Sequence, residues 1–134
     1  MISLGLLETN SIARGIIAGD AMLKAAEVTL LKAGAVCPGK YVVVIYGEVA
    51  AVSASMDAGK RYAAEYLVDD LTIASLDPQV VEAITGGCEP SVLSAMGVME
   101  FYTISAAVVA ADLAAKAADV RLMEVRLEIG RAHV

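Results

Sequence analysis

The feature that most constrains this chain is an internal repeat at a constant offset of 92 residues. Leu4-Gly5-Leu6-Leu7-Glu8 returns as Met96-Gly97-Val98-Met99-Glu100, Asp20 as Asp112, and Lys24-Ala25-Ala26 as Lys116-Ala117-Ala118. Ile12 matches Ile104, Ala18 matches Ala110, and Val28 and Leu30 match Val120 and Leu122. The register holds without a gap, which points to a tandem duplication. One unit is long enough to be a whole small α/β domain rather than a solenoid repeat. At the same offset Cys37 falls on Ile129 and Pro38 on Gly130. The second copy is therefore expected to be cut short, without counterparts of its later strands and second helix. We expect a complete domain over residues 1–87, a linker over 88–93, a partial second domain over 94–130 and a non-native tail over 131–134. The ending Ile129-Gly130-Arg131-Ala132-His133-Val134 reads like a translated adapter sequence. A half domain is expected to leave apolar surface exposed, above all on the helix near residues 103–118.

Within the first copy, residues 3–8 read as a strand, and Thr9, Asn10 and Ser11 offer N-cap oxygens to a helix over 12–27. Ile12, Ile16, Leu23 and the alanines between them follow helical spacing there. Residues 28–35 and 41–46 are rich in Val, Leu, Ile and Tyr and read as paired strands. Between them lies Val36-Cys37-Pro38-Gly39-Lys40, in which Pro-Gly suits the centre of a type II turn. Gly47-Glu48 is expected to break the strand. A second helix follows over 49–66, with Val52, Met56, Ala63 and Tyr66 as core candidates. A fourth strand is expected over 67–76. Asp77-Pro78 then starts a short helix, with Asp at the N-cap and Pro at N1, and Gly86-Gly87 ends it.

Composition narrows the function. The chain is 58% hydrophobic with a mean hydropathy of +0.68, yet no run reaches the roughly 18 apolar residues of a membrane helix. That combination suggests buried interfaces between subunits. A net charge of −6 with few aromatics and no Trp argues against nucleic-acid binding. No basic segment precedes an apolar core at the N-terminus, so no signal peptide is read. Cys37 and Cys88 lie far apart, which favours a reducing cytoplasm over a disulfide framework. His133 is the one histidine, so a Ser-His-Asp or Cys-His site would depend on the last residues of the chain.

The order of these motifs carries a resemblance. Gly5-x-x-Glu8-Thr9, the helix ending Asp20-Ala21-Met22-Leu23-Lys24-Ala25-Ala26, and Gly47-Glu48-Val49 before a helix with Asp57-Ala58-Gly59 resemble the bacterial microcompartment (BMC) shell domain. The resemblance implies an α/β (α+β) unit with a four-stranded antiparallel sheet and flanking helices. Duplication makes the chain similar to tandem-domain shell proteins, whose homotrimers form pseudohexameric tiles. The implied partners are further copies, other shell proteins and the enclosed enzymes, inside the cytoplasm, without nucleic acid or membrane. Val36, Cys37, Pro38, Gly39, Lys40 and Tyr41 resemble the central turn of a subtype from propanediol-utilisation compartments. By that resemblance Cys37 is a metal ligand, three copies sharing a 4Fe-4S cluster where other tiles have a pore. The resemblance also places Lys24 and Lys116, with Asp20 and Asp112, at the tile edge.

Other readings stand beside this one. Cys37 also suits a small half-buried residue at a strand end. Lys24 and Lys116 also suit ordinary i,i+4 ion pairs with Asp20 and Asp112. Glu8 and Glu100 lie at strand ends without a partner motif, so no catalysis is assigned to them. A ferredoxin-like regulatory domain that binds a small molecule between subunits is the alternative function. A redox enzyme using Cys37 is disfavoured by the missing Cys-x-x-Cys pair.

Overall fold

The computed structural model describes residues 1–89, 91–127 and, by backbone alone, 132–133. The chain divides into two compact units, Met1–Leu76 and Asp77–Val134. The first contains β1 (Ile2–Thr9), α1 (Ile12–Ala25), β2 (Thr29–Val36), β3 (Lys40–Glu48), α2 (Val49–Ala63), a 3-10 turn (Ala64–Tyr66) and β4 (Leu67–Ile73). Its four strands form one sheet in the order β2-β3-β1-β4, and every neighbouring pair is antiparallel. The expected α+β class and four-stranded antiparallel sheet are what the first unit adopts.

Pleating divides the central strands between two faces. Gly5 and Leu7 of β1 stand opposite Ile45 and Val43 of β3 and face the helices. The core there joins Leu7, Val43 and Ile45 to Ala18 and Met22 of α1 and to Val52, Met56 and Ala63 of α2. Leu4, Leu6, Val42 and Val44 point to the opposite face and are also fully buried. Both faces are thus apolar along β1 and β3, which explains why these strands read as continuous hydrophobic runs.

Helix α1 starts at an N-cap, Ser11, whose hydroxyl accepts the Arg14 N–H at 3.3 Å. Of the apolar residues at helical spacing, Ala18 turns inward and the large ones do not. Ile12, Ile16 and Leu23 are exposed, and the buried positions are Gly15, Ala18, Gly19 and Met22. Close approach is the cause: a Cβ on Gly15 would lie 2.4 Å from the Tyr41 Cβ. The expected core residues Val52, Met56 and Ala63 of α2 are buried, whereas Tyr66 is 36% exposed.

Several boundaries also differ. Gly47 and Glu48 continue β3, because they pair with Ser3 and Ile2. α2 ends at Ala63, where Ala64 takes φ of 52° and its N–H returns to Lys60 O. β4 stops at Ile73, although Leu76 N–H still donates to Ile2 O at 2.9 Å.

The second unit contains α3 (Pro78–Thr85), β5 (Glu100–Phe101), α4 (Ile104–Ala117) and β6 (Ala132–His133). α3, assigned by sequence to the first domain, groups with this unit. Asp77 caps it, accepting Gln79 N–H at 2.9 Å. The repeat carries its cap too: Thr103, the counterpart of Ser11, accepts Ala106 N–H at 3.1 Å. Ile104, Ala107, Val108 and Ala111 of α4 are buried, contrary to the expectation of an uncovered helix. Exposed apolar surface remains at Leu113 of α4 and lies also in the segment before it, at Val92, Leu93, Met96, Val98 and Met99. Pro90 of the expected linker, Ile129 and Gly130, and Arg131 and Val134 of the expected tail lie outside the described residues.

Candidate functional site

The β2–β3 connection is the first candidate. Val36 pairs with Lys40, leaving Cys37, Pro38 and Gly39 to close the hairpin. Gly39 has φ of +71°, a region where a side chain is strained and glycine is not. The positive φ is the one expected of the Gly in Pro-Gly, and the Cys37–Pro38 peptide is cis. Val36 is buried and anchors the turn, while Cys37 is exposed at its tip.

Below the tip lies an ion pair that the sequence reading did not find. Lys40 Nζ is 3.7 Å from Glu8 Oε1, and the Glu8 side chain is only 8% exposed. Register explains the burial. Glu8 falls on the same pleat face as Leu4 and Leu6, opposite Val42 on β3 and Asp69 on β4. The alternation Leu4, Leu6, Glu8 was the available signal for a buried carboxylate. Burial pushes the Glu8 carboxyl above its ordinary value; Lys40 opposes the shift and nearby Asp69 adds to it.

That direction fixes a pH dependence. The folded state holds the Glu8 proton more tightly than the unfolded chain does. The corresponding stability is present below the unfolded carboxylate pKa and is lost as pH rises through the folded value. Glu8→Gln is expected to remove that decline. Urea midpoints measured from acid to neutral pH check it, and an unchanged slope in the variant would count against a raised Glu8.

The repeated Asp-Lys pairs sit in unlike surroundings. Lys24 Nζ donates to Asp20 Oδ2 at 2.7 Å, with both side chains mostly exposed. Asp112 is buried; one oxygen accepts from Lys116 Nζ and the other accepts Asp77 N–H at 2.8 Å. Asp20 is thus a surface group, whereas Asp112 fastens α4 to the start of α3. Lys40 pairs with Glu8 and Lys24 with Asp20, so the turn and the α1 pair are separate constellations.

Cys88 is the other thiol. Its Sγ donates to Leu122 O at 3.1 Å and accepts from Arg121 Nε at 3.4 Å. Arg121 also reaches Glu82 at 3.1 Å, and Cys88 N–H donates to Met123 O at 2.8 Å. These contacts tie the segment after α3 to residues 121–123. Among the described residues, no group of three or more His, Cys, Asp or Glu side chains is placed to hold a metal. Among them, too, no helix is long and apolar enough to cross a membrane.

Comparison with known proteins places these features in context. The BMC domain model matches residues 3–76 and 95–132. A bacterial microcompartment shell protein of Citrobacter freundii, PduT, is 39% identical over 128 residues, spanning 96% of this chain and 70% of its own length. The carboxysome shell protein CsoS1B of Halothiobacillus neapolitanus is 40% identical over 79 residues, covering 59% of this chain and 71% of its own. A crystal structure of a microcompartments protein from Desulfitobacterium hafniense DCB superposes with a TM-score of 0.94 at 48% identity. That match covers 99% of this chain and 76% of that one.

Proposed function

Because this chain belongs to the BMC domain family of microcompartment shell proteins, we propose that it is a structural tile whose three copies gather their Cys37 thiols around one 4Fe-4S cluster. Its work is assembly with other shell proteins into a layer that encloses enzymes in the cytoplasm. No residue of the chain is given a catalytic role.

The observation that carries the cluster reading is the position of Cys37, exposed at the tip of a turn closed by the Val36–Lys40 pair. Thiolates are the soft ligands that iron–sulfur clusters take, commonly four at a time. One chain offers this turn once, since its second repeat has Ile129 at the matching position. Three-fold symmetry turns one thiol per chain into three, and the fourth iron keeps a ligand from outside the protein. The donor chemistry therefore fits a shared cluster and not a site within one chain. When bound, the cluster would supply one-electron transfer. The residues' own part is to present the thiol and to offset its negative charge, the second task falling to Lys40.

Anaerobic reconstitution with iron and sulfide tests this. The expected result is a broad visible thiolate-to-iron absorption in the parent protein and in Cys88→Ser, absent in Cys37→Ser. An equal band in Cys37→Ser would end the proposal.

A further inference from the structure

We infer that Glu8 is a positioning residue: it holds the Lys40 ammonium beneath the Cys37 turn, so that the pair sets the charge the turn presents to an anionic group at its tip. Register supplies the contact. Tyr41 stands opposite Thr9 and Val42 opposite Glu8, so Lys40 lies one step beyond the end of β1, on the pleat face that Glu8 shares. Its ammonium is turned back toward the sheet, 3.7 Å from Glu8 Oε1. The Glu8 side chain is 8% exposed and that of Lys40 37%. A pair exposed on both sides would hold a lysine weakly. A buried carboxylate holds it firmly, because without its cation it is left uncompensated.

The neighbouring charges give Glu8 no substitute for Lys40. Asp69, opposite Glu8 on β4, is itself an acid, and its carboxylate accepts Asp70 N–H at 2.9 Å. Lys60 pairs with Asp57 and Asp70, and Asp70 stands opposite Leu7, on the helix side of the sheet. Lys40 is also the cation closest to Cys37 along the chain, since Val36 pairs with Lys40 and the exposed Cys37 lies in the turn between them. Neutralising Glu8 leaves the lysine charge uncancelled below the tip, whereas removing Lys40 leaves the two acids. These changes move the potential at Cys37 in opposite directions. With three thiols around one cluster, Glu8→Gln would raise the reduction potential and Lys40→Gln would lower it. That consequence rests on the function proposed above; the charge at the turn does not.

The test uses the whole chain without iron, in a Cys88→Ser background where Cys37 is the one remaining thiol. Alkylation rates with iodoacetate, an anion, and iodoacetamide, a neutral reagent of similar size, are compared at one pH. Their ratio cancels differences in access and in thiolate fraction, which a merely structural role would change. Glu8→Gln should raise the iodoacetate-to-iodoacetamide ratio about twofold or more, and Lys40→Gln should lower it by a similar factor. Lys40→Arg keeps the charge and should keep the parent ratio. Circular dichroism checks folding, and the partly exposed Lys40 decides the matter alone if Glu8→Gln does not fold. A ratio unchanged in Lys40→Gln would overturn the inference, as would shifts of the same sign in both variants. Potentiometry after reconstitution separates the two readings. A parent without the visible band ends the cluster and leaves the alkylation ratios to decide; a band whose potential is the same in all variants ends the inference.

Discussion

Met22→Ala is expected to lower the unfolding free energy of the first unit by about 2–5 kcal/mol, whereas Ile16→Ala should change it by no more than about 0.5 kcal/mol. Both residues are apolar and both lie on α1, so their difference isolates which way the helix faces. Met22 is fully buried, and its thioether crosses Gly59 of α2 so closely that a Cβ there would lie 2.6 Å from Met22 Cγ. Leu7 closes the same pocket from the sheet, with Cδ1 3.0 Å from that point. Ser55 holds the helices in place around it, donating to Met22 O at 2.9 Å. Truncation would leave a void walled by two helices and a strand, which can collapse only if all three shift. Ile16 is 54% exposed and leaves no void. Urea denaturation of the two variants, followed by a probe in the first unit, gives the answer. Equal losses would mean that α1 packs through its isoleucines.

The second large effect separates residues that the repeat makes equivalent. Asp112→Ala should destabilise the second unit by about 1.5–3 kcal/mol, and Asp20→Ala the first by about 0.3–0.5 kcal/mol. Asp20 faces water with Lys24, and an exposed i,i+4 pair contributes little. Asp112 has a carboxylate only 6% exposed and joins two partners, the Lys116 ammonium and the Asp77 backbone N–H. Its removal leaves a half-buried donor without its acceptor at the very residue that caps α3. Asp112→Asn keeps the acceptor for Asp77 and should recover part of the loss. Differential scanning calorimetry of the three variants reads both units. A loss in Asp20→Ala as large as that in Asp112→Ala would contradict the difference in burial.

The parts legible in the sequence were those fixed by local chemistry. Asp77-Pro78 marked α3 because capping and a preset φ act within a few residues. Pro38-Gly39 marked the hairpin, and Val52, Met56 and Ala63 followed helical spacing onto the core. For α1 only the spacing was legible. Helical spacing groups Ile12, Ile16, Leu23 and the alanines without saying which are innermost, and this helix approaches the sheet through Gly15, Ala18 and Gly19, so its isoleucines are left outside. Gly47 and Glu48 looked like a break, yet Ile2 and Ser3 of β1 give them partners. The same dependence works in reverse in the second copy. Residues 96–100 repeat the pattern of β1, and only Glu100 enters a strand, because a ladder is a property of two segments. Glu8 with Lys40 was hidden for a related reason: the pair spans β1 and β3, and only register brings them together.

The hydrogen bond from Leu76 to Ile2 has a topological consequence. It brings the two ends of the first unit side by side, with Leu4 and Ile73 already paired in the sheet next to them. A few flexible residues would therefore suffice to join Leu76 back to Met1. New termini could then be opened at Gly39, an exposed turn position where an added Cβ would meet nothing within 4 Å. Such a circular permutant would keep every strand neighbour and every helix–sheet contact while cutting the chain beside Cys37. The order in which this unit is encoded is thus separable from the order in which it is packed.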